Sequence, residues 1–434
     1  MIFKKNVVVV VDAYSIGSLI APAFISRGYE CIHVRSTDNV NAFYESWFRP
    51  ADFIKDLPYI SDALLDEQLS QYNVQFVLAG CEFGVELAAD LAAHFNVARH
   101  NNPAHAVRWR NKYEMHEALK RAGVRSIKHF RSAELVKIQE WIEEQNLFPV
   151  VLKPINSAGS DNIHICTNAA EVESAFAAVK GSRNIFLAQN EQVLVQQYLD
   201  NADFYSEMKA DKGRDVDIEY CVNTVSVDGQ HFVSEIIRVY RTRIGAAPVH
   251  DYNQLMCPVD NQDVYSRLSE YVFSVLDALG IKHGVGHSEL MIVNDEPVLL
   301  ETAARMPGGI DLSAYTRALG HNQLNLWVES LVNPQGFLDY RAKPRKKLFF
   351  HSSCVFLIAR ASGEIKRLPD VAVWKHIPGL HSIKIQHEGM LSETNSLENS
   401  PGHVFILDKD RSSIQDSIQL LREAESAIYQ GMLA

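Results

Sequence analysis

Two glutamates in the segment GVGHSELMIVNDEPVLLETAARMPGGID, residues 284–311, are the side chains best suited to chemistry in this chain. Glu289 and Glu301 lie on two short apolar runs separated by the turn Asn-Asp-Glu-Pro, and this pattern predicts an antiparallel hairpin. Pairing across the hairpin brings the two carboxylates together. His287 lies beside Glu289, because residues two apart in a strand share a face.

The acidic pair predicts a bound cation. Two carboxylates about 4 Å apart repel by roughly 4 kcal/mol at an effective dielectric constant near 20, and a cation removes that cost. Oxygen ligands with no thiol nearby suit Mg²⁺, with Mn²⁺ as an acceptable substitute, and Mg²⁺ commonly binds carboxylates together with substrate phosphates. We therefore expect a metal site at Glu289 and Glu301, with phosphoryl transfer as its chemistry.

Two lysines and a loop of small residues complement this acidic pair. Lys112 lies near the start of a predicted helix, where backbone N–H groups also favour anions. Lys153 ends an apolar strand just before the loop Asn-Ser-Ala-Gly-Ser-Asp-Asn, residues 156–162. A lone lysine on a helix is usually solvated and a Ser/Gly loop is often a plain turn. Small residues also let backbone amides approach phosphate oxygens, and the combination favours phosphate binding.

The elements that must position these groups begin with a parallel α/β region. NVVVVVD, YECIHVR and VQFVLAG (residues 74–80) read as buried strands, with helices predicted at 15–28 and through VELAADLAAHF. Alternating strands and helices favour a parallel sheet covered on both faces. The loop after the first strand lacks GxGxxG. Gly80, Glu82 and Gly84 are expected at the ligand-binding edge, with a plain turn as the alternative.

The remainder of the chain is predicted from periodicity and turn residues. A helix is expected at about 110–122, followed by a strand-rich module at 126–200 that ends in the strand VLVQQYL. The charged segment 203–215 reads as a loop. DIEYCVNTVSVDGQHFVSEIIRVY is predicted to form a hairpin turning at Asp-Gly, and a helix is expected at 264–279. Strands and one final helix should form the end of the chain.

Composition limits the classes of function. With 434 residues the chain suits two or three domains, and its net charge of −11 argues against a nucleic-acid partner. The cysteines form no CxxC pair and are expected to be buried, reduced thiols, which favours the cytoplasm. They are Cys31, Cys81, Cys166, Cys221, Cys257 and Cys354. No apolar run approaches the ~18 residues of a membrane span, so no membrane partner is expected.

The order of these motifs resembles the ATP-grasp carboxylate–amine ligases. The likeness rests on Lys112, on Lys153 with its small loop, on VLVQQYL and on HSEL…LLETAAR, and it extends over roughly residues 75–312. It implies an α/β, ATP-grasp fold with an N-terminal parallel α/β domain at 1–108 and an ATP-grasp domain at 109–345. Within the latter it implies a small lid at about 126–198. A C-terminal α+β lobe would occupy 346–434.

The resemblance also implies roles for individual residues. Glu289 and Glu301 would hold Mg²⁺, and Arg305 would steady the reacting carboxylate and its tetrahedral intermediate, with Lys153 as a further catalytic cation. The residues implied to bind ATP are Lys112, Lys153, Ser157, Gly159, Ser160, Gln196, Gln197, Tyr198 and Leu199, the last four lining the adenine slot with backbone groups offered to the ring. Those implied to bind substrate are Glu219, His287, Arg305, Gly308 and Gly309.

The sequence departs from the family pattern at identifiable positions. The family often reads E-x-N-x-R, with the Asn as a further metal ligand, where this chain has Ala303. Gln196 and Gln197 likewise stand where a Glu is common. His250, like His287, is a candidate for substrate contact, with a structural histidine as the alternative in both cases. The general base for the attacking amine has no candidate in the sequence.

The length and the C-terminal segments ARASGEIKRLPD and PGHVFILDKD resemble the L-amino-acid ligases. The resemblance implies ATP-dependent synthesis of a dipeptide from two free amino acids through an aminoacyl phosphate, with ATP and small amino acids as ligands and a homodimer as one option for its assembly. Another carboxylate–amine ligase of this family, a bicarbonate-using carboxylase and a non-catalytic nucleotide-binding protein are the alternatives. Substrate choice would depend on loops such as 241–257 and 203–215.

Overall fold

The computed structural model describes residues 4–40, 42–159, 161–200, 217–244, 247–344, 346–367, 374, 376–386, 388–395, 397 and 399–433. Ser160 and the charged segment 203–215 lie outside these residues. Within the described part, no helix combines the length and apolar character needed to cross a membrane. All six cysteines are buried free thiols, as the sequence predicted.

The N-terminal region is a parallel sheet with helices on both faces. Its strands are β1 (Lys5–Val11), β2 (Glu30–Arg35), β3 (Lys55–Pro58) and β4 (Tyr72–Ala79), hydrogen-bonded in the order β3-β2-β1-β4. Its helices are α1 (Ile20–Ile25), α2 (Ala42–Glu45), α3 (Asp62–Leu69) and α4 (Val85–His94). Alternate valines of β1 face opposite sides, with Val8 packing in one apolar cluster beside Phe24 and Val9 in another beside Leu91. The predicted parallel sheet is confirmed.

The loop after β1 differs from the prediction. The helix expected from residue 15 to 28 is divided into a 3-10 turn, Ser15–Leu19, and the short helix α1. The 3-10 turn packs closely against the end of β4, because a Cβ on Gly17 would lie 2.3 Å from the carbonyl oxygen of Gly80. Only residues without a side chain allow the two loops to meet there.

The next region contains helix α5 (Lys112–Arg121) and a four-stranded antiparallel sheet. Its strands are β5 (His129–Ser132), β6 (Val150–Pro154), β7 (His164–Cys166) and β8 (Val193–Gln197), in the order β5-β8-β6-β7. The prediction of strands alone missed helices α6 (Leu135–Gln145) and α7 (Ala169–Val179). Both carry apolar residues at helical spacing, and Ile138, Ile142 and Val172 are buried with the strand residues Val150 and Val195.

The central sheet carries the acidic hairpin. Its first strands are β9 (Asp217–Val227), β10 (Gln230–Ile244), β11 (Ala247–Leu255), β12 (Gly284–Val293) and β13 (Glu296–Ala303). Helices α8 (Gln262–Leu279), α9 (Leu312–Leu319), α10 (Gln323–Val332) and α11 (Pro334–Arg341) accompany them. The predicted Asp-Gly turn is confirmed, with φ of 51° at Asp228 and 73° at Gly229. The expectation of a loop at 241–257 is wrong, because its described residues lie mainly on β10 and β11, which pair with each other.

The C-terminal region extends the central sheet. It contains β14 (His351–Phe356), β15 (Gly363–Glu364), β16 (Leu380–Ile385), β17 (Met390–Leu391), β18 (Gly402–Asp408) and the final helix α12 (Arg411–Leu433). Strands β14, β18 and β16 continue it in the order β13-β12-β9-β10-β11-β14-β18-β16, while β15 pairs with β17. The predicted strands and final helix are present. The domain limits at 108 and 345 stay predictions, because hydrogen bonding runs across the second of them.

Candidate active site

The two glutamates of the hairpin lie opposite each other. Glu289 of β12 and Glu301 of β13 are register partners, and the ladder shifts immediately after them, between Glu289 and Leu290. Their side chains are 29% and 22% exposed. The hairpin and the pairing predicted from the sequence are therefore confirmed, and both carboxylates reach a part-open surface of the sheet.

Two lysines from separate elements surround this pair. Lys112 at the start of α5 places Nζ 2.7 Å from Glu301 Oε2 and 2.5 Å from the carbonyl oxygen of Ser157. Lys153 at the end of β6 is buried. Burial and the neighbouring Lys112 lower the pKa of Lys153 to about 8, although Glu301, Glu289 and Glu219 act in the opposite direction. The structure therefore brings both predicted lysines to the carboxylates.

The loop after β6 has its own hydrogen-bond network. The Ser157 hydroxyl donates to Asp161 Oδ2 at 2.5 Å, and the backbone N–H of Ile185 donates to the same oxygen at 3.0 Å. Asn184 Nδ2 donates to the carbonyl oxygen of Asn156 at 2.6 Å. Gly159 has φ of +67°, a conformation that favours glycine. Lys112 contacts both the carbonyl oxygen of Ser157 and the Glu301 carboxylate, so the start of this loop lies beside Glu301.

The strand β8 leads to an apolar layer between the hairpin and the sheet of β5, β6, β7 and β8, which we call the lid sheet after the predicted lid. Leu199 is buried with Ile127, Met291 and Val298, so the predicted adenine slot has an apolar wall. The backbone N–H groups of Gln197 and Tyr198 donate to the carbonyl oxygens of Lys128 and Pro149 at 2.9 and 3.3 Å. These two N–H groups are therefore bonded to carbonyl oxygens of the protein, whereas the sequence predicted that backbone groups here face the adenine ring. Gln196 is 2% exposed.

Arg305 meets the N-terminal sheet at the same site. Its Nε lies 2.7 Å from Glu82 Oε2, and its Nη1 donates to the carbonyl oxygen of Met306 at 3.0 Å. Burial opposes the charged form of Arg305, but Glu82, Glu301 and Glu289 outweigh it and raise the pKa of the guanidinium. Arg110 Nε lies 3.8 Å from Glu82 Oε1. The sequence placed Glu82 only at the ligand edge and gave no sign of its two arginine partners.

The glycines after the hairpin adjoin the N-terminal loop. Gly309 has φ of +67°. A Cβ on Gly308 would lie 3.7 Å from Ser15 Oγ, so little space separates this turn from the end of β1. The turn at Gly308 and Gly309 therefore lies where the parallel sheet and the central sheet meet.

Glu219 is bound by an arginine that the sequence did not single out. Arg241 Nη2 donates to Glu219 Oε2 at 2.9 Å, and Arg241 Nε lies 2.9 Å from Glu219 Oε1, so the guanidinium forms an ion pair with the carboxylate. Burial opposes ionisation of Arg241, but the carboxylates of Glu219 and Glu289 outweigh it and raise its pKa. The alternation Glu-x-Cys-x-Asn on β9 was the available signal that this strand faces the site.

His287 is joined to both the acidic pair and the protein interior. Its Nε2 lies 3.2 Å from Glu289 Oε1, and its Nδ1 lies 2.7 Å from Asn223 Oδ1. Asn223 Nδ2 donates to Glu235 Oε1 at 2.7 Å. The other candidate, His250, is held neutral, because burial and Arg241 lower its pKa to about 3.

Residues 146–313, which hold most of these groups, match the family model of the ATP-grasp domain. The chain therefore contains an ATP-grasp domain. It is 29% identical to dapdiamide A synthase of Enterobacter agglomerans over 441 residues, covering 98% of this chain and 97% of that protein. It is 24% identical to alanine–anticapsin ligase of Bacillus subtilis over 242 residues, covering 53% and 49% respectively.

The fold is likewise confirmed by a solved structure. L-amino acid ligase from Bacillus licheniformis superposes with a TM-score of 0.73 at 15% identity, covering 96% of this chain and 97% of the other. The predicted ATP-grasp fold is therefore confirmed. The predicted class, ATP-dependent carboxylate–amine ligase, is confirmed by the domain match and by the synthase and the ligase of similar sequence.

Proposed function

We propose that this enzyme joins two free L-amino acids into a dipeptide, with ADP and phosphate as the other products. Similarity to three proteins supports a substrate of this class. Dapdiamide A synthase resembles the chain over nearly its full length, and the superposed solved structure is named an L-amino acid ligase. Alanine–anticapsin ligase, whose name contains an amino acid, matches about half of the chain.

The observation that carries the proposal is a group of three cations around two carboxylates. Lys112, Lys153 and Arg305 come from α5, β6 and the segment after β13, and all three are close enough to Glu301 to interact with its charge. Phosphorylation of a carboxylate by ATP spreads negative charge over several oxygens, and catalysis of such a transfer consists mainly of positioning and charge neutralisation. The arrangement supplies both.

ATP would bind between the lid sheet and the hairpin. Lys112 and Lys153 would contact its phosphates, and the loop carrying Ser157, Gly159 and Ser160 would cover them. The adenine would lie against Leu199 and the apolar layer that includes Met291. Gln196, Gln197 and Tyr198 complete the proposed adenine slot, with contacts other than the two N–H groups already engaged.

The carboxylate pair fits a hard divalent cation. Glu289 and Glu301 are register partners with part-exposed side chains, and carboxylate oxygens are ligands that Mg²⁺ prefers. When bound, the ion would neutralise charge on the phosphates. The two glutamates would orient it, and Lys112 would hold Glu301 in place.

The chemistry proceeds in two transfers. A carboxylate oxygen of the first amino acid attacks the γ-phosphorus of ATP, the bond to the β-phosphate oxygen breaks, and ADP leaves. The amine of the second amino acid then attacks the carbonyl carbon, and the bond to phosphate breaks as the amine loses a proton. Arg305 would stabilise the negative oxygen of the tetrahedral intermediate. Glu219, His287, Gly308 and Gly309 would contact the substrates.

A lid at 126–198 would protect the acyl phosphate. Water competes with the amine for this intermediate, so excluding water favours the dipeptide. Lys112 and Asn184 donate hydrogen bonds to the 156–162 loop. Because Lys112 also contacts Glu301, movement of the lid would be coupled to the carboxylate pair.

The deciding experiment is incubation with Mg-ATP and pools of free L-amino acids, measuring phosphate release and dipeptide mass together. We expect both products with a subset of amino-acid pairs. Phosphate release that depends on bicarbonate instead would identify a carboxylase. No phosphate release with any pair would refute the proposal.

A further inference from the structure

The nitrogen Nε2 of His287 faces the proposed metal site. It lies 3.2 Å from Glu289 Oε1. Across the ladder, the register partner of His287 is Ala303, whose methyl group offers no ligand atom. At this register position the imidazole of β12 is therefore the polar group next to the carboxylate pair, because β13 contributes only a methyl group.

A buried chain of hydrogen bonds from Glu235 through Asn223 orients the other ring nitrogen of His287, Nδ1. The Glu235 carboxylate accepts a hydrogen bond from Asn223 Nδ2 at 2.7 Å, which turns Asn223 Oδ1 towards His287 Nδ1, also at 2.7 Å. An amide oxygen only accepts hydrogen bonds, so Nδ1 carries the hydrogen. In the neutral ring, the lone pair of Nε2 then points towards a negatively charged oxygen of Glu289.

Either a proton on Nε2 or a metal ion joins these two atoms, and a metal ion at this position would be bound by both. Neighbouring ligands of an octahedral ion, each about 2.1 Å from it, lie about 3 Å apart. The separation of 3.2 Å between His287 Nε2 and Glu289 Oε1 fits that geometry. Histidine ligands commonly donate their other N–H to an orienting group, which is the role that Asn223 and Glu235 occupy here.

We propose that His287 Nε2 is a ligand, beside Glu289, of the divalent cation at the hairpin, and that this nitrogen shifts the site from Mg²⁺ towards Mn²⁺. The inference rests on the proposed function, which places the metal at Glu289 and Glu301. Mg²⁺ favours an all-oxygen environment, whereas first-row transition ions accept imidazole more readily.

Cys221 provides a control within the same cluster. Ligand atoms of Cys221, His287 and Glu289 all lie within 4.8 Å of one another. Its thiol is a soft ligand that neither Mg²⁺ nor Mn²⁺ favours. Cys221→Ser therefore changes a neighbouring group while leaving the proposed nitrogen ligand in place. His231→Gln, which alters a buried histidine bonded to Ser226 on the same sheet, is the second control.

Pulsed electron paramagnetic resonance of Mn²⁺ bound with a non-hydrolysable ATP analogue tests the ligand directly. We expect an imidazole ¹⁴N coupling that becomes a ¹⁵N coupling when the protein carries ¹⁵N-histidine, which separates it from adenine nitrogens. His287→Gln should lose the coupling, whereas Cys221→Ser and His231→Gln should keep it. Circular dichroism of each variant checks that it is folded.

Affinity measurements provide the second readout. His287→Gln should raise the dissociation constant for Mn²⁺ by about tenfold and that for Mg²⁺ by less than about twofold, since only the transition ion gains from the nitrogen. Asn223→Leu removes the orienting acceptor and should weaken Mn²⁺ binding by about tenfold or more.

The outcomes separate this inference from the proposed function. Bound Mn²⁺ with no histidine coupling in the wild-type protein would overturn the ligand assignment, and dipeptide synthesis would stand unaffected. Equal losses of Mn²⁺ and Mg²⁺ affinity in His287→Gln would overturn the metal preference. Failure of both ions to bind, together with absent dipeptide formation, would remove the proposed function itself.

Discussion

Two charged pairs meet in this site, and they form in different ways. Glu289 and Glu301 belong to one hairpin, so a short turn brings them together. Arg305 and Glu82 are 223 positions apart and meet because the parallel sheet docks against the central sheet. The hairpin is a local feature of the sequence, whereas the Arg305–Glu82 pair depends on the packing of two separate sheets.

The two pairs are also expected to act on different substrates. The hairpin lies beside the lysines proposed to bind ATP, and Arg305 lies beside the loops of the N-terminal sheet. Changes in the hairpin should therefore impair every reaction that consumes ATP. Changes at Glu82 should affect the amino-acid side of the reaction more than the nucleotide side.

The largest effect is expected from Glu301→Gln. Removing the charge weakens both the proposed metal site and the ion pair with Lys112 Nζ at 2.7 Å. We expect the dipeptide synthesis rate to fall by at least about a thousandfold, with an unchanged circular dichroism spectrum. Coupled measurement of ADP release tests this. Full activity would show that Glu301 does not hold the metal.

Arg305→Lys should follow, with kcat lower by about a hundredfold. Lysine keeps the charge but not the planar set of donors that a guanidinium offers. Steady-state kinetics for both amino acids and ATP measure this, and the KM for ATP should change by less than about threefold. A large rise in that KM with normal kcat would place Arg305 on the nucleotide instead.

Glu82→Gln tests the long-range pair. Its carboxylate lies 2.7 Å from Arg305 Nε, so the amide removes the nearest counter-ion of the guanidinium. We expect a rise of about tenfold in the KM of an amino acid, and a loss of about 1.5–3 kcal/mol in the free energy of unfolding. Matched kinetics and urea unfolding measure the two effects. Glu86→Gln, which alters a more exposed partner of Arg110, is the control.

The smallest effect on turnover is expected from Asp12→Asn, which tests the pH dependence of the N-terminal sheet edge. Burial raises the pKa of Asp12 from 3.8 to about 6, although hydrogen bonds from Ser36 oppose the shift. Between about pH 4 and pH 6 the carboxyl ionises in the unfolded chain but not in the folded protein. The free energy of unfolding of the wild type should therefore fall by about 3 kcal/mol as the pH rises from 4 to 6.

Urea unfolding at pH 4 and pH 7 measures this loss. The Asn variant should lack this part of the pH dependence, because its amide does not titrate. Parallel pH profiles for the two proteins would contradict the raised pKa of Asp12.

Features encoded in short segments could be predicted from the sequence. The acidic hairpin, the Asp-Gly turn of β9 and β10, and the buried valine strand β1 are present where alternation and turn residues indicated them. The helices α6 and α7 were missed although their apolar residues stand at helical spacing, and those residues pack on the strands of the lid sheet. The predicted loop at 241–257 failed for a similar reason, since strand pairing with β10 and β14 overrides its polar composition.

The sequence by itself determined the candidate site residues of the hairpin and their local geometry, because a strand's two-residue period and a tight turn fix which side chains share a face. Only the tertiary structure decided the partners of those side chains. Arg241 on Glu219, Glu82 on Arg305 and the Asn223–Glu235 relay behind His287 join residues from different strands and sheets. Charge energies depend on distance and burial, and both are set by how the separate sheets pack.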